Sequence, residues 1–190
     1  MKKVGILGGT FNPPHLGHLL MANETLHALS LDEVRFMPNA IPPHKQVRYM
    51  PADSQRMTML QQLIDGEPKF TIEHYELAHG GTSYTIDTMK ALRAREPQSQ
   101  FYFIIGGDSI DTLHTWRQID ELMQLVTFVG IMRPGSVGES PYDVLRLQTP
   151  QIDVSSTLLR ERLANDETVK YLLPEKLAAY IRKEQLYGAK

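Results

Sequence analysis

The chain has 190 residues, 42% of them hydrophobic, which is enough for one domain with a substantial core. Twenty Lys and Arg residues against 22 Asp and Glu give a formal net charge of −2, so the chain lacks the basic field that holds nucleic-acid phosphates. The absence of cysteine excludes disulfides, thiol catalysis and thiolate metal ligands. No apolar run reaches membrane-spanning length, and "MKKVGILGG" lacks the apolar core of a signal peptide. These features predict a cytoplasmic protein with no nucleic-acid or membrane partner.

Hydrophobic patterns predict strands that alternate with helices along the chain. The predicted strands cover 4–7, 34–38, 69–77, 100–108 and 126–133. The predicted helices cover 16–29, 54–64, 84–95, 116–125 and 174–186, and the chain turns helical again from Ser155. Asp53 is the expected cap of the second helix, and Pro42 and Pro43 predict an extended loop that carries Lys45.

Strands separated by helices indicate an α/β protein with a doubly wound parallel sheet. We expect residues 1–190 to form a single domain whose residues 155–190 are a C-terminal helical part. In such folds a ligand binds outside the carboxyl ends of the strands.

Polar or glycine residues follow directly on several of the predicted strands. They are Gly8, Gly9, Thr10, Asn39, Gly106, Asp108 and Arg133. Glycine allows close backbone approach to phosphate, and a following helix start attracts anions. The Gly-Gly pair alone is weak evidence, since most such pairs only turn the chain.

Two histidines stand three residues apart at the predicted start of the first helix. His15 and His18 fall on one face, with Gly17 between them leaving room for a ligand, so both imidazoles can reach one phosphoryl group. There are two alternatives to phosphate binding. One histidine caps the helix or packs while the other is solvated, or the pair belongs to a zinc site. His-x-x-His supplies two zinc ligands at most, and there is no cysteine to complete the set.

The segment "GGTFNPPHLGH" resembles the first signature of the (T/H)xGH nucleotidyltransferases, and "VSSTLLRERL" at 154–163 resembles their second, SSTxxR. With "PNAIPPHK", "GTSYTIDT", "FIIGGDS" and "YLLPEKLAAYI", the resemblance covers the whole chain and is strongest to the bacterial nicotinate-nucleotide adenylyltransferases. It implies a Rossmann-like nucleotidyltransferase fold. It also implies transfer of AMP from ATP to nicotinate mononucleotide, with deamido-NAD and pyrophosphate as products.

The resemblance assigns a role to each candidate residue. The catalytic set is His15, His18, Lys45 and Arg160. The ATP-binding set is Gly8, Gly9, Thr10, Phe11, Gly106, Asp108, Arg133, Ser155, Ser156 and Thr157. The set for the nicotinate nucleotide is Asn39, Tyr84, Thr85, Trp116 and Arg117. Mg²⁺ is expected to be carried mainly by the ATP phosphates, with no protein metal site, and the enzyme is expected to self-associate.

Several residues keep an alternative interpretation. The segment "SSTLLR" also fits an ordinary helix cap with a surface arginine, Asp108 fits a helix cap, Arg133 a solvated strand end and Trp116 the edge of the core. Asn12 stands where many relatives have Asp, which is expected to alter turn hydrogen bonds more than catalysis. The alternative functions are the same reaction on the amide mononucleotide, and a nucleotide-binding regulatory module without turnover.

Overall fold

The computed structural model describes residues 1–43, 49–132, 139–150 and 152–189, without the side chain of Asp108. Its strands are β1 Lys2–Gly9, β2 Glu33–Pro38, β3 Phe70–Ile72, β4 Ser99–Gly106, β5 Thr127–Met132 and β6 Val144–Gln148. Its α-helices are α1 Leu16–Ala28, α2 Asp53–Ile64, α3 Tyr75–His79, α4 Thr85–Arg95, α5 Gly107–Asp111, α6 Ile119–Leu125, α7 Ser156–Ala164 and α8 Glu175–Lys183. Short 3₁₀ helices cover Leu113–Thr115 and Leu186–Gly188.

The six strands form one parallel sheet in the order β3-β2-β1-β4-β5-β6. The strand order reverses between β1 and β4, and this is the point where doubly wound sheets bind their ligands. The prediction of a doubly wound parallel α/β fold is therefore confirmed.

Both faces of the sheet are covered, as a parallel sheet requires. Along β4, Phe101, Phe103 and Ile105 pack into a cluster with residues of α4 and α6. The alternate residues Tyr102 and Ile104 pack on the other face, in a cluster with residues of α1, α2, α7 and α8. This period of two is the direct result of strand geometry. Among the described residues, no helix has the length and apolarity needed to cross a bilayer.

Several predicted boundaries were wrong, among them the end of the strand predicted over 100–108, which stops at Gly106 because a helix begins at Gly107. The strand predicted over 69–77 ends at Ile72, because the chain then turns into α3, where the Tyr75 amide donates to the Glu73 carboxylate (3.2 Å). The helix predicted from 116 begins at Ile119, because Gln118 has a left-handed backbone (φ 52°). Asp53 is not the cap of α2: that position is Ala52, whose amide donates to the Gln55 side chain (3.1 Å).

Strand β6 was not predicted. It lies at the edge of the sheet beside β5, and of its five residues only Val144 is buried. A strand that buries so little has no strong hydrophobic pattern. Only its pairing with β5 makes it recognisable as a strand.

A half-buried charge network joins β2 to the end of α4. Arg35 binds both carboxylate oxygens of Glu96 (2.7 and 2.8 Å) and also contacts Glu33 (2.6 Å) and Glu73 (3.2 Å). The hydrogen bonds from Arg35 lower the pKa of Glu96 from 4.5 to about 2, while partial burial opposes that shift. The ionised pair therefore stabilises the fold.

Because the pKa of Glu96 is depressed in the folded chain, its contribution is present above pH 4.5 and is lost as the pH falls toward 2. We expect Glu96→Gln to lower the free energy of unfolding by on the order of 2 kcal/mol at neutral pH and by much less in acid. Thermal melts of wild type and variant across this range measure the difference. A destabilisation of equal size at both ends would contradict the prediction.

Candidate active site

Polar residues from separate strands meet at the carboxyl edge of the sheet. The Asn39 amide donates to the Gly9 carbonyl (3.0 Å), and the Asn39 side-chain amide donates to the Thr10 hydroxyl (3.3 Å). Gly106 ends the adjacent β4, and a Cβ added there would meet nothing within 4 Å. The edge is therefore lined by polar groups and has open space above β4.

Phe11 follows the glycine turn, but its side chain belongs to the core. It is 2% exposed, with a positive φ of 50°, and its ring lies edge-on to the His18 ring at 5.0 Å. A Cβ on Gly9 would lie 3.1 Å from the Phe11 ring, so this ring explains the glycine there. Any contact of Phe11 with ATP would therefore involve its backbone.

The two histidines form one unit at the start of α1. Their ring centroids are 3.8 Å apart, His15 is buried, and the His15 backbone amide donates to Nδ1 of His18 (3.1 Å). Because Nδ1 accepts this hydrogen bond, a neutral His18 carries its proton on Nε2. The structure thus assigns the tautomer that can donate from Nε2 to an anion.

The amides at the start of α1 are partly used by the protein itself. The Leu16 amide donates to the Leu172 carbonyl (3.2 Å), and the His18 amide donates to the His15 carbonyl (2.9 Å). A Cβ on Gly17 would lie 3.0 Å from both the His15 ring and Val154, so the space at Gly17 is filled by these side chains. The expectation that Gly17 leaves room for a ligand is therefore wrong.

The second motif is seated on the turn that leads to His15. Arg160 Nη1 donates to the Asn12 carbonyl (2.8 Å), and the Ser156 hydroxyl donates to the Pro13 carbonyl (2.8 Å). Arg160 Nη2 contacts the Thr157 hydroxyl (3.1 Å). Ser155 is the cap of α7, since its hydroxyl accepts from the Leu158 amide (3.1 Å). The fold thus joins the two motifs, and it uses their hydroxyls for cap and anchor contacts.

The residues predicted for the nicotinate nucleotide come from neighbouring segments. The Arg117 guanidinium lies 4.7 Å from the centroid of the Tyr84 ring and pairs with Asp87 (3.2 Å). Thr85 is the first residue of α4, and Tyr84, where the helix was predicted to begin, is its cap. The segment after Asn39 contacts the segment before Tyr84 through a bridge between Ile41 and Thr82.

Trp116 is half-buried at the edge of the core. Its ring meets the rings of Phe103 (5.9 Å) and Phe128 (5.8 Å) nearly at right angles. This packing fits the interpretation of Trp116 as an aromatic at the edge of the core. Its stacking on a pyridine ring stays a prediction.

Three predicted contacts fall outside what the structure describes. Lys45 and Arg133 lie outside the described residues, and so does the side chain of Asp108. Within the described ranges, no group of three His, Cys, Asp or Glu residues could hold a metal ion.

Two buried residues, Tyr187 and Arg56, contact the turn that leads to His15, and the sequence analysis missed both. The Tyr187 hydroxyl donates to Asn12 Oδ1 (2.7 Å), while Asn12 Nδ2 donates to the Tyr49 carbonyl (2.8 Å). Burial raises the pKa of Tyr187, which keeps its hydroxyl a donor. Arg56 contacts Thr10, and one signal for it was available, since it shares the buried helical stripe of Met59 and Leu63.

A parallel sheet whose carboxyl edge carries a glycine turn, paired imidazoles and an arginine is typical of the nucleotide-binding doubly wound α/β proteins. The sequence profile of the cytidylyltransferase-like family matches residues 6–162. A "probable nicotinate-nucleotide adenylyltransferase" from Geobacillus thermodenitrificans is 50% identical over 190 residues, 100% of this chain and 88% of that protein. A protein of the same name from Lactiplantibacillus plantarum is 53% identical over 186 residues, 98% of this chain and 88% of its own length.

Among solved structures, the chain is similar to the nicotinic acid mononucleotide adenylyltransferase of Plasmodium falciparum complexed with NaAD. The two superpose with a TM-score of 0.82 at 20% identity, over 100% of this chain and 99% of that one, which supports the fold. The chain belongs to the cytidylyltransferase-like family and, within it, to the nicotinate-nucleotide adenylyltransferases. The resemblance seen in the two sequence motifs is therefore confirmed.

Proposed function

We propose that this protein transfers AMP from ATP to nicotinate mononucleotide, giving deamido-NAD and pyrophosphate. The relatives that share about half of its residues over the full chain carry the name of this enzyme. The observation that carries the proposal is the contact of Arg160 with the turn that leads to His15 and His18, because it joins both signature motifs at one edge of the sheet.

The reaction needs positioning and charge stabilisation more than a strong base. A phosphate oxygen of nicotinate mononucleotide attacks the α-phosphorus of ATP in line, a new P–O bond forms, and the bond to the departing pyrophosphate breaks. In the transition state, His18 Nε2–H donates to an α-phosphate oxygen as negative charge develops there. Arg160 and Lys45 hold the phosphates, the glycine turn and the start of α7 bind ATP, and Asp108 accepts from a ribose hydroxyl.

The acid substrate is favoured over the amide by the donors proposed around Thr85 and Arg117. A carboxylate accepts from two backbone amides, whereas a carboxamide must turn its own NH₂ toward one of them. An unsatisfied buried donor costs roughly 1–3 kcal/mol, and the loss of charge adds to this.

Pyrophosphate release with ATP and either mononucleotide tests the proposal. We expect kcat/KM for the acid to exceed that for the amide by at least about a hundredfold. Equal use of both would support the amide alternative and contradict the carboxylate site. ATP binding without turnover on either would indicate the regulatory alternative.

Mg²⁺ is proposed to enter with ATP. The described residues at the carboxyl edge supply imidazole, hydroxyl, amide and guanidinium groups, and these suit a metal carried by the nucleotide phosphates better than a protein cage. The ion would neutralise phosphate charge when bound.

Three further expectations stay predictions. They are a cytoplasmic location, self-association, and a single domain over 1–190 with a C-terminal helical part at 155–190.

A further inference from the structure

Arg56 is a fully buried arginine at the carboxyl ends of β1 and β2. Its side chain is 0% exposed. Nη1 donates to the Thr10 carbonyl (3.1 Å), and Nη2 donates to the Asn39 carbonyl (2.7 Å) and to Asp53 (2.7 Å). Burying a guanidinium costs several kcal/mol unless its donors are satisfied, so its contacts bear on what it does. Two of the three acceptors are backbone groups of proposed substrate-binding residues.

The peptide between Asn39 and Ala40 is held at both of its polar groups. Its carbonyl accepts from Arg56, and its N–H donates to the Ser83 hydroxyl (2.9 Å). Because the C=O and N–H of a trans peptide point in opposite directions, the two bonds fix the plane of that peptide. Asn39 Oδ1 is buried and has no hydrogen-bond partner among the described residues, so this oxygen can accept a hydrogen bond from a substrate.

The chain of contacts continues into the segment before α4. Ser83 stands directly before Tyr84, the cap of α4, and its own amide donates to the Ile41 carbonyl (2.9 Å). In the neighbouring α3, the buried carboxylate of Glu76 accepts from the Thr88 hydroxyl (2.8 Å). Burial raises the pKa of Glu76, and the hydrogen bond from Thr88 opposes that rise. Thr88 lies one turn into the helix that begins at Thr85.

We propose that Arg56 and Ser83 are positioning residues, and that their hydrogen bonds to the Asn39–Ala40 peptide set the ATP half of the site relative to the mononucleotide half. We call this set the Arg56 relay. Thr10 stands at the ATP end, Asn39 at the centre and the start of α4 at the mononucleotide end. The inference rests on the proposed function, because it is that function which gives each end its substrate.

Steady-state kinetics on the full chain separate this role from a purely structural one. Ser83→Ala removes one hydroxyl, and we expect it to raise KM for nicotinate mononucleotide about tenfold, since small misplacements near the reacting groups are costly. KM for ATP should change less. Arg56→Lys keeps the charge but cannot reach three acceptors, so we expect KM to rise for both substrates.

Ser83→Thr is the second variant, because it keeps the hydroxyl that accepts from the Ala40 amide. It should leave KM for nicotinate mononucleotide closer to wild type than Ser83→Ala does. Combining Arg56→Lys with Ser83→Ala should give an effect on kcat/KM that departs from the product of the single effects by at least about threefold, as coupled residues do.

Arg35→Lys is the matched control, since Arg35 is a second largely buried arginine, but it lies on β2 and contacts Glu33, Glu73 and Glu96 instead of the strand ends. It should lower the melting temperature with both KM values unchanged. The relay would be overturned if its variants left both KM values unchanged, as this control does. It would also be overturned if the effect of the double variant on kcat/KM equalled the product of the single effects. A wild-type protein without adenylyl transfer would instead overturn the proposed function.

Discussion

Replacing His18 by alanine is expected to lower kcat by about 10²–10³-fold while leaving the affinity for ATP within a few fold of wild type. The reason is the tautomer. With Nδ1 occupied by the His15 amide (3.1 Å), His18 donates from Nε2, and a donor aimed at developing charge contributes most in the transition state. Turnover by pyrophosphate release and ATP binding by calorimetry give the two quantities.

Two further variants separate catalysis from capping at this position. Asparagine places an oxygen near Nδ1, so His18→Asn keeps the acceptor for the His15 amide and should still lose most of kcat. Glutamine places an N–H near Nε2, so His18→Gln should recover part of it. His27 is the control, because it is exposed in the last turn of the same helix, and His27→Ala should be neutral. A folded His18→Ala protein with near-normal turnover would refute the role.

Replacing Arg160 by alanine is expected to lower kcat/KM for ATP by about 10³-fold, with both a higher KM and a lower kcat. Two of its donors bind the Asn12 carbonyl and the Thr157 hydroxyl, and the guanidinium has five in all, so donors remain for phosphate. The variant thus removes a ground-state contact and also loosens the turn before His15. Kinetics with varied ATP measure both changes.

Arg160→Lys tests the planar fork, because lysine keeps the charge but acts as a single point donor. It should restore only a small part of the lost efficiency. Arg162 lies two residues further along α7 and donates to the Thr168 carbonyl (3.1 Å), so Arg162→Ala provides a matched control with little expected effect. If Arg160→Ala left KM and kcat unchanged, Arg160 would be an ordinary surface residue. Lys45 is expected to behave like Arg160, and its contribution stays a prediction.

The fold class could be read from the sequence because its signals are local. The buried runs of β1, β4 and β5 and the helix that starts at Leu16 each show their period within a few residues of chain. The second motif also encodes its own helix start, since Ser155 caps α7 through a residue only three positions away. These signals were sufficient for the doubly wound sheet, whereas the candidate site was assigned from the resemblance of the two motifs.

What only the tertiary structure decided are the contacts between distant parts of the chain. Arg160 and Asn12 are 148 residues apart, and no local pattern brings a guanidinium to that carbonyl. The strand order, the edge strand β6 and the buried donors Arg56 and Tyr187 depend in the same way on which elements pack together. The sequence by itself determined roughly where the strands end, and therefore which polar and glycine residues stand there, because propensity and periodicity act over a few residues. The packing of the elements determined which donors hold those strand ends, because the free energy of burying a charged or polar group depends on partners that are distant in the chain.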